Sequence, residues 1–153
     1  MEFVVSARSL TRYAWRYRGL FSWARLLNFV VVVASLALSR VCRRPVVWGR
    51  PFMLMVEPSS FCNLRCPLCP SGNGTLTRQR GHMDLDGYRR LVDQPHRHVF
   101  MIMLWNQGEP FLNRHLSDMV RYAHDRRIFT CTSTNGHFIE DPEAARAVVA
   151  SGL

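Results

Sequence analysis

The chain has 153 residues, of which 48% are hydrophobic and 20% charged, a composition that excludes a disordered polypeptide and allows a real core. Its 20 basic residues are all arginine and face 11 acidic residues, so the formal net charge is +9. Nine of the arginines but only one acid lie in residues 1–50, while residues 51–153 are nearly neutral. This asymmetry disfavours nucleic-acid binding along the whole surface. It predicts a basic helical leader with its linker over residues 1–50 and an α/β unit over residues 51–153.

The leader predicts two helices. Residues 10–21 place apolar side chains on one face at helical spacing, opposite four arginines: Arg8, Arg12, Arg16 and Arg18. Residues 26–39 carry no charge, but this stretch is shorter than the roughly 20 apolar residues of a membrane span. No convincing signal-peptide cleavage site follows it. Three interpretations stay open. The helices pack on the domain, or a helix of a cytoplasmic protein lies on the inner face of an anionic membrane. The third interpretation is RNA binding, for which no base-reading motif is present.

Five cysteines give the strongest chemical signal, and their odd number and tight clustering argue against a disulfide framework. Cys62, Cys66 and Cys69 form a C-x3-C-x2-C run, whose three thiolates can face one point. Structural zinc sites close with four ligands, and a 4Fe-4S cluster normally takes four cysteines. Three thiolates would leave one iron open for a substrate or cofactor. A zinc site completed by a distant ligand is the alternative, and Cys42 and Cys131 are expected to be buried small residues.

Three strand-like runs are each followed by a polar cluster. They are residues 52–57 before the cysteine run, residues 99–105 before Asn106-Gln107-Gly108-Glu109-Pro110, and residues 128–134 before Asn135-Gly136. A glycine permits close backbone approach to a ligand, and a carboxylate beside it can accept hydrogen bonds from an ammonium group. Parallel α/β folds place their sites at the carboxyl ends of the strands, so we expect these clusters to meet there.

Three helices are predicted between and after the strands. The first has Asp84 as its N-cap and one apolar face formed by Leu85, Tyr88, Leu91 and Val92. The second has an apolar stripe formed by Leu116, Met119, Val120 and Ala123. The third opens with Asp141-Pro142, has Ala145, Val148 and Val149 inside, and stops at Gly152. The order β-α-β-α-β-α predicts a parallel sheet with right-handed crossovers.

Residues 51–153 resemble the radical SAM superfamily. The C-x3-C-x2-C loop after a first strand is the signature of that family, residues 107–110 resemble its Gly-Gly-Glu-Pro motif, and residues 134–136 resemble the end of its third strand. Glu57-Pro58 and the phrase CNLRCPLCP resemble the subgroup whose members often carry a SPASM or twitch domain. Two positions depart from the pattern: Gln107 replaces the first glycine, and Leu68 stands where an aromatic residue is frequent.

The resemblance implies a cofactor site. Cys62, Cys66 and Cys69 would ligate three irons of a 4Fe-4S cluster, and S-adenosylmethionine (SAM) would chelate the fourth. The stretch Gln107, Gly108, Glu109 and Pro110 would bind SAM, with Gly108 and Glu109 at its amino group, while Ser133 and Asn135 would line its pocket. An electron donor such as a flavodoxin or ferredoxin would reduce the cluster. SAM cleavage would then give a 5′-deoxyadenosyl radical that abstracts hydrogen from a substrate not identifiable from the sequence.

The expected architecture is a partial TIM-type (β/α) barrel preceded by N-terminal helices. At roughly 30 residues per unit, residues 51–153 hold about three βα units of a probable six. We therefore expect the N-terminal half of a longer enzyme, whose third strand would expose an unpaired edge. The alternative is a non-catalytic truncated fragment that acts as a metal-binding or membrane-associated module.

Overall fold

The computed structural model describes residues 21–153, so the helix predicted over residues 10–21 lies outside the described residues except for its last position. The elements in chain order are α1 (Trp23–Cys42), β1 (Met53–Met55), α2 (Pro70–Asn73), α3 (Leu85–Asp93), β2 (Met101–Met103), a 3-10 turn (Pro110–Leu112), α4 (Leu116–Asp125), β3 (Phe129–Cys131) and α5 (Pro142–Ala150). Three successive βα units follow α1, as the sequence predicts.

The strands form one parallel sheet in the order β1-β2-β3. Each strand has three residues and is shorter than its predicted run. The residue after each of the first two strands still continues the hydrogen-bond ladder. The amide of Val56 donates to the carbonyl of Met103 at 2.8 Å, and the amide of Leu104 donates to the carbonyl of Cys131 at 2.8 Å. The predicted partial TIM-type α/β fold is therefore confirmed for these three units.

The core lies between the sheet and helices α3 and α4. Ile102 of β2 is fully buried at its centre, and the predicted apolar faces of the two helices close over it: Tyr88 and Val92 from α3, and Leu116, Met119, Val120 and Ala123 from α4. Asp84 caps α3 as predicted, since its Oδ1 accepts from the amide of Gly87 at 2.7 Å. Leu91 stays partly exposed at the edge of this face.

Helix α5 begins as the sequence predicts but does not pack as predicted. Oδ1 of Asp141 accepts from the amides of Glu143 and Ala144, and Gly152 ends the helix with φ 104°. No side chain of α5 is buried, and Val149 is 62% exposed. The prediction that Ala145, Val148 and Val149 face a core is wrong, because Ala145 and Val148 are only half-buried and Val149 is exposed.

Helix α1 differs most from its prediction. It runs for 20 residues through both flanking arginines, Arg25 and Arg40, whereas the sequence marked fourteen uncharged positions. Within the described part of the chain it is the one helix long and apolar enough to cross a membrane, judged by length and composition.

Helix α1 docks at the amino ends of the strands, the edge opposite the polar clusters. The guanidinium of Arg25 donates to the main-chain carbonyls of His96, Arg126 and Arg127, at 3.3, 3.1 and 2.6 Å. Burial, together with the nearby charge of Arg127, lowers the pKa of Arg25 from its ordinary value. The ring of Phe29 meets Phe52, just before β1, edge to face at 5.4 Å.

Candidate functional site

The loops that follow β1, β2 and β3 come together at the carboxyl edge of the sheet, as the sequence predicts. The amide of Glu109, after β2, donates to the carbonyl of Phe61 in the loop after β1, at 2.7 Å. The side chain of Asn135, after β3, donates from Nδ2 to Oδ1 of Asn63 in that same loop, also at 2.7 Å. Both neighbouring loops are therefore hydrogen-bonded to the cysteine loop.

Glu109 is the buried centre of this arrangement. Its Oε1 accepts from the amide of Phe111 at 3.1 Å and the hydroxyl of Thr134 at 2.7 Å, and its Oε2 accepts from the amide of Asn135 at 2.8 Å. The residue is 2% exposed. Three protein donors surround the carboxylate, so it joins the loop after β3 to the loop after β2. That Glu109 also receives the amino group of a ligand stays a prediction.

Gly108 is required by close backbone packing. Its φ is +76°, and a Cβ there would lie 2.4 Å from the carbonyl oxygen of Ser59 and 2.6 Å from that of Phe61. Both contacts are to backbone, which cannot rotate away as a side chain can. The glycine of the motif therefore lets the loop after β2 pass directly beneath the chain that leads into the cysteines. The neighbouring Pro110 is fully buried and opens the 3-10 turn.

Gln107 links the end of β1 to the third cysteine. Its amide donates to Oε2 of Glu57 at 2.9 Å, and its side-chain Oε1 lies 3.5 Å from the sulfur of Cys69. Both carboxylate oxygens of Glu57 also lie 2.6 Å from Nη2 of Arg78. Glu57 is therefore bound to the loop after β2 and to the chain beyond the cysteines. Sequence reasoning missed Arg78, because nothing in the pattern pairs residues 21 positions apart.

The three cysteines of the run are free thiols on one loop. Cys62 and Cys69 are partly buried, and Cys66 is exposed. Cys69 is the N-cap of α2, and the amide of Cys69 donates to the carbonyl of Cys66 at 3.2 Å. Gly72 packs on this turn, since a Cβ there would lie 2.7 Å from the amide nitrogen of Cys66.

That the three thiolates face one point stays a prediction. Within residues 21–153, no three His, Cys, Asp or Glu side chains converge on a position for one metal ion. Cys69 is held at the start of α2, while Cys62 lies seven residues earlier in irregular chain. The donor set nevertheless fits an iron–sulfur cluster, because thiolates are its usual ligands and each binds a different iron.

The remaining cysteines differ from each other. Cys131, at the end of β3, is partly buried, and burial raises the pKa of its thiol. Cys42 is exposed at the end of α1, so the expectation that it is buried is wrong. Neither residue belongs to the cysteine loop.

The remaining predicted residues take different positions at the edge. Ser133 is exposed, while Asn135 is partly buried between Glu109 and the cysteine loop. Leu68, the position where the related pattern is often aromatic, is 95% exposed beside Cys69. The hydroxyl of Thr134 bonds Glu109, a role that its place beside Asn135 could have suggested.

Asn113 is a further residue that the sequence did not indicate. It is 3% exposed, and its Nδ2 donates to the carbonyls of Pro58 at 2.7 Å and Met83 at 2.9 Å. It therefore ties the 3-10 turn to the chain on both sides of the cysteine loop. No charge or motif marks it, so only the fold reveals its role.

Comparisons with known proteins identify relatives of this chain. The chain is 32% identical over 90 residues to the tungsten-containing aldehyde ferredoxin oxidoreductase cofactor-modifying protein of Pyrococcus furiosus, covering 58% of this chain and 25% of that protein. It is 29% identical over 86 residues to the PqqA peptide cyclase of Xanthomonas oryzae pv. oryzae, covering 56% of this chain and 23% of the cyclase. The matched segments thus span about a quarter of the length of these relatives.

Two solved structures share the fold. BtrN in complex with AdoMet and 2-DOIA superposes with a TM-score of 0.57 at 23% identity, over 69% of this chain and 44% of BtrN. Streptococcus suis SuiB bound to S-adenosylmethionine superposes with a TM-score of 0.51 at 16% identity, over 75% of this chain and 24% of SuiB. The family model of the radical SAM superfamily matches residues 56–153, from the end of β1 through all three polar loops. The chain therefore belongs to the radical SAM superfamily.

Proposed function

We propose that this chain carries the cluster-binding and SAM-binding part of a radical SAM enzyme. The observation that carries the proposal is the attachment of the cysteine loop to the loops after β2 and β3 through Gly108, Glu109 and Asn135. When bound, a reduced 4Fe-4S cluster and SAM supply one-electron cleavage of the sulfonium to methionine and a 5′-deoxyadenosyl radical that abstracts hydrogen from substrate. The electron would come from a flavodoxin or ferredoxin.

In this proposal Cys62, Cys66 and Cys69 each bind one iron through a thiolate. A fourth iron would be left open for SAM. Gln107 and Gly108 would form the adjoining wall for SAM, because the Gln107 amide group lies beside the sulfur of Cys69.

The carboxylates in this proposal position the loops. Glu57 orients the main chain of Gln107, and Glu109 fixes the start of the loop after β3. Exposed Leu68 offers an apolar surface beside Cys69. Leu68 could pack against the cofactor but could not stack on adenine as an aromatic ring does.

Anaerobic reconstitution of the chain with iron and sulfide tests the cluster. We expect about four irons per chain and the broad visible absorption of a 4Fe-4S cluster. Serine at Cys62, Cys66 or Cys69 should abolish both signals. Cys42→Ser is the matched control, because it also removes an exposed thiol and should leave the iron content unchanged. Equal loss in the control, or no iron in the unaltered chain, would refute the ligand assignment.

A second assay tests the reaction and separates it from a simple metal site. With dithionite as reductant, the reconstituted protein should convert SAM to methionine and 5′-deoxyadenosine. Iron binding without any 5′-deoxyadenosine would restrict this chain to cofactor binding. Stoichiometric zinc, with no iron retained after anaerobic purification, would instead favour the alternative of a non-catalytic metal-binding module.

A further inference from the structure

Helix α1 packs on the rest of the chain through polar side chains together with the ring of Phe29. Arg25, Asn28 and Ser35 are 8%, 8% and 5% exposed, and Ser39 is half-buried. The spacing of these residues puts them on one face of the helix. A surface helix of a soluble protein normally buries apolar side chains and exposes polar ones, so the burial of these polar residues is the reverse of the usual pattern.

Hydrogen bonds fix this polar face to the segment that follows the helix. Asn28 exchanges two bonds with the main chain of Arg50: Nδ2 donates to its carbonyl at 2.9 Å and Oδ1 accepts from its amide at 2.8 Å. The hydroxyl oxygen of Ser39 accepts from the amide of Val46 at 2.8 Å. Residues 46–50 therefore run along the polar face of α1.

The opposite face of α1 is apolar and exposed. We call it the outer face and define it by the residues at helical spacing opposite Asn28: Trp23, Leu27, Val30, Ala34, Ala37 and Val41. The four largest of them are between 55% and 81% exposed. A continuous apolar surface of this kind marks a site of interaction.

Arginines flank the outer face at its carboxyl end. Arg40, Arg43 and Arg44 are exposed at its carboxyl end. Arg97 and Arg127 are also exposed near the amino end of α1, but they line a pocket with Arg25 on the docked side of the helix. Residues 21–50 contain no acidic residue. Apolar side chains bordered by cations fit a surface that is hydrocarbon inside and anionic at its boundary.

We propose that α1 lies in the plane of an anionic membrane surface, with its outer face among the acyl chains and the flanking arginines at lipid phosphates. The helix is about 30 Å long, which would also suffice to cross a bilayer. Crossing would carry residues 46–50 into the hydrocarbon, because they are hydrogen-bonded along the same helix, and irregular backbone is not tolerated there against lipid. Lying in the plane keeps that segment and the sheet on the aqueous side.

Co-sedimentation with lipid vesicles tests the outer face. We expect the chain to bind vesicles of phosphatidylglycerol and phosphatidylcholine at physiological salt. The double substitution Leu27→Gln with Val30→Gln should weaken binding by about tenfold or more, since two half-exposed aliphatic side chains lose their transfer into lipid. The control, Leu27→Val with Val30→Leu, should bind as the unaltered chain does. Both variants should unfold at the same urea concentration as the unaltered chain, since these side chains point away from the domain.

The arginines are tested separately. Arg43→Gln and Arg44→Gln should each weaken binding to the anionic vesicles by about fivefold and leave the weak binding to pure phosphatidylcholine vesicles unchanged. Failure of the unaltered chain to sediment with anionic vesicles would overturn the proposal, as would equal binding of the double glutamine variant. Resistance of the bound chain to alkaline carbonate extraction would overturn the in-plane orientation. A stable dimer that the glutamine variant abolishes, without vesicle binding by either form, would assign the outer face to a second copy instead.

Discussion

Replacing Gly108 by alanine tests whether the loop after β2 is fixed by backbone contact with the cysteine loop. Two costs add at this position. An L-residue at φ +76° costs about 1–2 kcal/mol relative to glycine. The new Cβ would lie 2.4 and 2.6 Å from two carbonyl oxygens, and relieving such overpacking typically costs about 1–3 kcal/mol. The free energy of unfolding should therefore fall by about 2–5 kcal/mol.

Gly136 provides the matched control. Its φ is +80°, but a Cβ there would have no heavy atom within 4 Å. Gly136→Ala should therefore cost only the conformational part, about 1–2 kcal/mol. The effect of alanine on the unfolded chain is the same for both variants and cancels in the comparison. The difference between them isolates the contact with Ser59 and Phe61.

Urea unfolding followed by far-ultraviolet circular dichroism measures both variants. With a slope of about 2 kcal/mol/M, Gly108→Ala should lower the midpoint by about 1–2.5 M and Gly136→Ala by about 0.5–1 M. Iron content after reconstitution should fall further for Gly108→Ala, because the displaced backbone carries the cysteine loop. Equal midpoints for the two variants would refute the contact, and with it the structural reason given for the glycine.

Other substitutions test separate contacts. Glu109→Gln should lower the free energy of unfolding by about 1–3 kcal/mol in urea titration, because one of the three buried donors would face an amide NH2 group. Arg78→Gln should change it by less than about 1 kcal/mol, since the arginine is half-exposed. Arg25→Met should cost about 1–3 kcal/mol, because partly buried carbonyls lose their donor. The Tyr122 hydroxyl lowers the pKa of Asp93, so the stability from this pair is present at neutral pH and is lost as pH falls below about 4. Asp93→Asn should therefore reduce the fall of the melting temperature with decreasing pH.

The sequence predicted what depends on local pattern. Asp84 and Asp141 cap their helices, and the apolar stripe of α4 is buried as its spacing indicates. The three polar clusters meet because parallel strands bring their carboxyl ends to one edge, a consequence of topology alone. These features follow from residues a few positions apart and from one rule of connectivity.

What the sequence could not predict depends on partners far apart in the chain. The motif identified Glu109 as important but could not show whether its carboxylate faces a ligand or the protein. The pairing of Glu57 with Arg78 spans 21 residues of irregular chain, and no periodicity encodes it. The orientation of α1 was hidden for a related reason. Its pattern shows two faces, and only the docking of Arg25 shows which of them meets the domain.

Because protein contacts alone fix the base of the cysteine loop, cluster binding should order its tip without creating the fold. Ser59 and Ser60 are 1% and 2% exposed, and the hydroxyl of Ser60 accepts from the amide of Gly81 at 2.7 Å. By contrast, Cys66 and Leu68 at the tip are exposed. Removing the cluster should therefore leave the sheet intact, unlike a zinc finger, whose fold depends on its metal.

Hydrogen exchange measures this difference directly. Peptides covering residues 99–110 should show equal protection before and after reconstitution, while a peptide covering residues 62–69 should gain protection. Cys66→Ser, which removes a ligand but no buried contact, should leave the first peptides unchanged and abolish the gain in the second. A sheet that becomes protected only on reconstitution would show that metal binding and folding are coupled. The contacts of Gly108, Glu109 and Asn113 would then be a result of cofactor binding rather than its preformed support.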